Sequence, residues 1–122
     1  MKKCLHMGFA TLVSILMLIA SATAHMALSK SMPEPDSVVS ESPRSLQVWF
    51  TQAPDPVVSQ MVLSGSQGEV ELGEMMLHDD KSIMVMVEST LAAGKYLVNW
   101  RTAGDDGHIQ RGEYSFTVNT SN

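Results

Sequence analysis

Residues 91–118 read LAAGKYLVNWRTAGDDGHIQRGEYSFTV. Tyr96, Val98 and Trp100 alternate with Leu97, Asn99 and Arg101, and Tyr114, Phe116 and Val118 alternate with Ser115 and Thr117. A period of two with aromatic and β-branched residues on one face marks half-buried strands. Gly104-Asp105-Asp106-Gly107 between them is a turn signal, so the segment predicts two strands joined by a polar, glycine-rich loop. Leu91-Ala-Ala-Gly-Lys-Tyr96 suits a tyrosine corner, in which the Tyr96 hydroxyl bonds back to the preceding backbone.

The same grammar extends upstream. Leu46, Val48 and Phe50 alternate with Gln47, Trp49 and Thr51, and 58–63 and 83–87 are apolar runs of strand length. Turn signals separate them at Pro33-Glu34-Pro35-Asp36, Ser42-Pro43, Pro54-Asp55-Pro56, Gly65-Ser66-Gln67-Gly68 and Ala93-Gly94. No stretch carries a helical period with caps. The reading is all-β, an immunoglobulin-like Greek-key sandwich of about seven strands forming one domain over residues 25–122.

Residues 1–24 read differently. Lys2 and Lys3 precede a 14-residue apolar run, 7–20, shorter than the about 20 residues a membrane span needs. Ala22-Thr23-Ala24 then supplies a small-x-small cleavage site. This is the layout of a secretory signal peptide, cleaved to leave His25 first. Cys4 precedes the apolar run, so it is misplaced for a lipoprotein cysteine.

The chain of 122 residues carries net charge −5; without Lys2 and Lys3, six cations face 13 acids, a net −7. That balance argues against nucleic acid and anionic membranes as partners. The mature segment has no cysteine, so a metal would be held by His, Met, carboxylate or a new amino terminus.

Three groups of residues offer such donors. A terminal His25 presents an α-amine and Nδ1 that close one chelate ring, nitrogen donors suited to the tetragonal sites of Cu(II). Asp106-Gly107-His108 places a carboxylate and an imidazole two residues apart, and Asp106 either ligates directly or orients an imidazole. Together His25, Asp106 and His108 offer a plausible Cu(II) square plane. Seven methionines remain after cleavage, and thioethers select Cu(I). Met61, Met84 and Met86 lie in apolar strands and read as core filling; Met75, Met76 and His78 form a residual Cu(I) candidate. No phosphate loop, nucleophile elbow or calcium-loop spacing occurs. Asp79-Asp80 reads as a solvated turn.

These residues resemble the CopC-like copper resistance proteins, small periplasmic copper carriers with an immunoglobulin-like sandwich. The matching parts are Ala24/His25, then Leu28, Ser31 and Pro33, Pro43 before Val48-Trp49-Phe50, and the closing block 91–101, Asp106-Gly-His108 and 112–118. The resemblance implies a non-enzymatic Cu(II) site at His25, Asp106 and His108, with sequestration or delivery to an inner-membrane copper transporter, by a monomer. Two departures stand out. Where the family reads F-S-E, with a glutamate near copper, this chain has Phe50-Thr51-Gln52, and Gln52 is left unassigned. The Met/His-rich loop by which some members bind Cu(I) is short here, which favours a Cu(II)-only member. The competing readings are a metal-free interaction module of the same fold and a copper-dependent oxidase or monooxygenase. Few aromatic residues and an acid in the metal plane speak against the latter.

Overall fold

The computed structural model describes residues 25–120; the expected export segment, 1–24, lies outside the described residues. Every regular element among them is a strand: β1 (Leu28–Met32), β2 (Ser37–Val39), β3 (Ser45–Phe50), β4 (Gln60–Gly65), β5 (Gly68–Val70), β6 (Leu72–His78), β7 (Ser82–Val87), β8 (Gly94–Ala103) and β9 (Ile109–Val118). They form two sheets, ordered β1-β3-β7-β6 and β2-β9-β8-β4-β5. The all-β sandwich expected from the alternation is the observed architecture. The strands number nine rather than seven because two three-residue pieces, too short to show alternation, also pair: β2 runs parallel to β9, and β5 closes a hairpin on β4.

The alternating residues supply the core. Leu46, Val48 and Phe50 from β3, Ile83 and Val85 from β7, Tyr96, Val98 and Trp100 from β8, and Tyr114, Phe116 and Val118 from β9 are all buried between the sheets. Burying each of the larger aliphatic and aromatic side chains stabilises the fold by about 1.5–3 kcal/mol. Phe50 meets Trp100 edge-on across the sheets with ring centroids 5.2 Å apart, and Tyr96 stacks on Phe116 at 5.6 Å. The tyrosine corner is present: Tyr96 Oη donates to the Ala92 carbonyl at 2.7 Å.

Register corrects the reading of the methionines. Ile83 and Val85 face the core, so Met84 and Met86, one step out of phase, stand on the opposite face of β7. Met84 is half-buried and Met86 exposed, so neither is core filling; Met61 does pack partly buried against the core. Asp79 and Asp80 do occupy a turn, but Asp80 is more than a solvated acid. It accepts from Trp49 Nε1 at 2.9 Å and from the Ser82 hydroxyl, which in turn receives Gln47 Nε2 at 2.9 Å. These bonds to Asp80 hold its carboxyl below the usual carboxylate range, the one from Ser82 first and that from Trp49 next.

Candidate metal centre

The centre lies where the segment before β1 meets the β8–β9 loop. Met26 is 4% exposed, its side chain driven inward by apolar burial, and this ties down the segment beside His25. Ala27 then pairs with the end of β3: Thr51 N donates to the Ala27 carbonyl at 2.9 Å, and Ala27 N to Thr51 Oγ1 at 3.0 Å. His25 is thereby set at the rim of the sandwich with its ring in solvent.

The opposing loop is shaped by its own sequence. The β8–β9 ladder runs without a break to the Ala103–Ile109 pair. The chain then turns, with Gly107 N donating to the Gly104 carbonyl at 3.0 Å. Gly107 has φ +72°, a conformation a side chain disfavours. Gly104 is required for a different reason. A Cβ there would overlap Gln52 Oε1 and stand 3.5 Å from Met26 Cβ, so the loop lies directly on both residues. Gln52 Oε1 also accepts from Asp105 N at 3.3 Å. The position left unassigned in the sequence is thus a tether that holds the loop from below.

Asp106 is the hub of the centre. Its Oδ1 accepts the His108 backbone N–H at 3.0 Å, the short-range bond that Asp favours in turns. Its Oδ2 lies 3.2 Å from His108 Nδ1 and 3.6 Å from His25 Nδ1. The two imidazoles are tilted by 50° with centroids 6.3 Å apart. One ligand atom from each of His25, Asp106 and His108 lies within 4.8 Å of the others. The His108 backbone bond, and after it the charge of the His108 ring, hold the Asp106 carboxyl below the usual range despite some desolvation. The hub therefore stays anionic into acid.

All three residues selected from the sequence are brought together, although 81 positions separate His25 from Asp106. The donor set of two imidazoles and a carboxylate, open to solvent, suits copper among the transition-metal ions that imidazoles bind. The second candidate set is not brought together. Met75 pairs with Val85 and packs toward the core, whereas Met76 and His78 pair with Met84 and Ser82 on the outer face. Of the residues that position the centre, Met26 carries no sequence signal, whereas Gln52 stands where the resemblance places a glutamate. A single methionine beside the expected cleavage site carries no spacing that identifies it.

Known proteins resemble this chain throughout the sandwich. A family model described as the CopC domain matches residues 28–119. The chain is 32% identical over 107 residues to copper resistance protein C of Escherichia coli, covering 80% of this chain and 84% of that one. It is 31% identical over 108 residues to copper resistance protein C of Xanthomonas campestris pv. juglandis, covering 81% and 84%. Among solved structures, CopC from Methylosinus trichosporium OB3b superposes with a TM-score of 0.72 at 28% identity, covering 80% of this chain and 97% of the other. PcoC, a methionine-rich copper resistance protein from Escherichia coli, superposes with a TM-score of 0.70 at 31% identity, covering 79% and 100%. The domain match and these identities make the chain a member of the CopC family of copper resistance proteins.

Proposed function

We propose that the mature protein is a periplasmic Cu(II) carrier whose cargo is held by the His25 amine and imidazole, the His108 imidazole and the Asp106 carboxylate. The observation that carries this reading is the convergence of these side chains, from opposite ends of the chain, to within 4.8 Å. Cleavage after Ala24 completes the site by freeing the α-amine of His25. A terminal His can then chelate through the amine and Nδ1 and leave two further positions to the His108 imidazole and the Asp106 carboxylate of the loop.

The role is binding rather than catalysis. Its donors occupy the metal plane, and their exposure suits exchange with a partner such as an inner-membrane copper transporter. Because imidazole and amine donors bind metal only when deprotonated, copper is released in acid. The carrier acts as a monomer in sequestration or delivery.

The test is a Cu(II) titration of the mature protein against a competing chelator, with mass spectrometry of the exported form. We expect one Cu(II) per chain, a chain beginning at His25, and a loss of at least ten-fold in affinity for His25→Ala and for His108→Ala. Unchanged affinity in both variants would exclude this site. An N-acetylated chain that binds as well as the free one would remove the amine from it.

A further inference from the structure

Arg101 and Arg111 stand directly opposite each other in the β8–β9 ladder. Val98 and Trp100 on β8 and Tyr114 and Phe116 on β9 face the core, so both arginines lie on the outer face of the five-stranded sheet. Opposed side chains on adjacent antiparallel strands have Cβ atoms about 4.5–5.5 Å apart, and like charges placed so are destabilising. Residues 25–122 carry six cations against 13 acids, yet two of those six meet here. Neither is paired with a carboxylate: the ion pairs among the described residues join Asp106 to the two rim histidines. The acid nearest in register, Glu113, stands opposite Asn99 instead.

The surroundings of the pair suit an anion. Arg101 is half-buried, and its Nε donates to the Val58 carbonyl at 3.1 Å, which fixes the guanidinium and leaves its Nη groups free to donate. Arg111 is exposed, and its guanidinium has no partner among the described residues. Gln60, opposite Arg101 on β4, and Asn99, two residues before it on the same face, add amide donors. These four side chains line a shallow cavity of about 190 Å³, room for a small anion. Opposed guanidiniums held in place beside two amides are the arrangement an oxyanion relieves.

A guanidinium presents its N–H donors in a planar fork that matches carboxylate and phosphate oxygens. The two oxygens of a carboxylate are taken up by one fork, whereas a phosphoryl group offers three acceptor oxygens and can meet both. We propose that Arg101 and Arg111, with Gln60 and Asn99, form a binding site for a phosphate with three free oxygens, inorganic or as a monoester. Filling it converts cross-strand repulsion into a bridge between β8 and β9, the hairpin that carries Asp106 and His108 in its loop. The site uses no residue of the rim centre, and it does not depend on that centre holding metal.

The test follows the arginine Nε–H signals of the ¹⁵N-labelled mature protein by NMR while sodium phosphate is added, with sodium chloride and sodium acetate at matched ionic strength as controls. The Arg101 and Arg111 signals are expected to move together and saturate in phosphate, while Arg44 stays in place and the controls move neither. His25→Ala/His108→Ala should keep these shifts, which separates the arginine site from any phosphate held by the rim histidines. Arg111→Gln, a change at an exposed and unpaired side chain that leaves the fold intact, should weaken phosphate binding at least ten-fold. A parallel titration with glycerol 3-phosphate identifies the source: tighter binding than inorganic phosphate supports a monoester, and equal or weaker binding supports the free ion. No saturable shift at the two arginines, equal shifts in chloride or acetate, or unaltered affinity in Arg111→Gln would each overturn the proposal.

Discussion

Replacing Asp106 with asparagine separates two things the carboxylate does at the rim. Its Oδ1 accepts the His108 backbone N–H at 3.0 Å, which shapes the loop. Its Oδ2 faces both imidazoles, at 3.2 and 3.6 Å from their Nδ1 atoms. Asparagine keeps an oxygen for the backbone bond but presents an uncharged amide N–H₂ to the metal. The loop should therefore survive, and stability should stay within about 0.5 kcal/mol of wild type, as for most surface substitutions. Cu(II) affinity should fall by about 10–100-fold even if the carboxylate only orients the imidazoles, and by more if it ligates. Asp106→Ala, which also loses the backbone bond, should bind no better than Asp106→Asn.

The pH dependence sharpens this prediction. The Asp106 carboxyl is held below its ordinary value, chiefly by the His108 N–H. A depressed carboxylate contributes its stabilisation above the unfolded value, near 3.8, and loses it only as pH falls through the lower folded value. Acid release of copper above about pH 4 therefore reflects proton competition at the nitrogen donors. The wild-type and Asp106→Asn affinity profiles should fall in parallel over that range, offset by the 10–100-fold. Chelator competition from pH 8 to pH 4.5, with thermal melts of each apoprotein, measures both quantities. Wild-type affinity in Asp106→Asn, or a wild-type profile that falls with a carboxylate step the variant lacks, would refute the reasoning.

Two further outcomes concern the scaffold. Burial pushes the Tyr114 phenol up to about 12 against an ordinary 10, and the hydroxyl has no hydrogen-bond partner of normal geometry; Ser31 beside it donates to the Pro33 carbonyl instead. Below pH 10 the phenol is neutral in both the folded and unfolded chain; as pH rises from 10 to 12 the unfolded chain ionises first, and stability falls by about 3 kcal/mol for two units. In urea denaturation, wild type should therefore weaken against Tyr114→Phe only between pH 10 and 12, whereas Tyr114→Phe at pH 7 should be neutral or slightly stabilising; a flat difference across pH would contradict this. Tyr96→Phe removes the 2.7 Å bond to the Ala92 carbonyl and should cost about 1 kcal/mol, a drop in Tm of about 4–8 °C, with Cu(II) affinity unchanged because the corner is remote from the rim loop.

The fold was legible wherever a strand alternates or runs apolar; β6, reading LGEMMLH, does neither and was not read despite its seven residues. Residues 46–50, 96–100 and 114–118 show which face is buried because the strand period is two and one face meets the core. The residues that converge at the rim were legible as well. A histidine next to an expected cleavage site and an Asp-x-His in a glycine-rich loop carry their chemistry in residue type and local spacing. The short strands at 37–39 and 68–70 were not legible, since three residues hold less than two periods and pair only because long neighbours present an open edge. Three-dimensional packing alone decided the rest. Burial of Met26 and the seat of Gly104 on Gln52 bring the start of the chain to a loop some 80 residues later. Cross-strand register sends Met75 inward and Met76, Met84 and Met86 outward into one row. Contacts of that kind depend on which strands lie side by side, and local alternation is silent about neighbours.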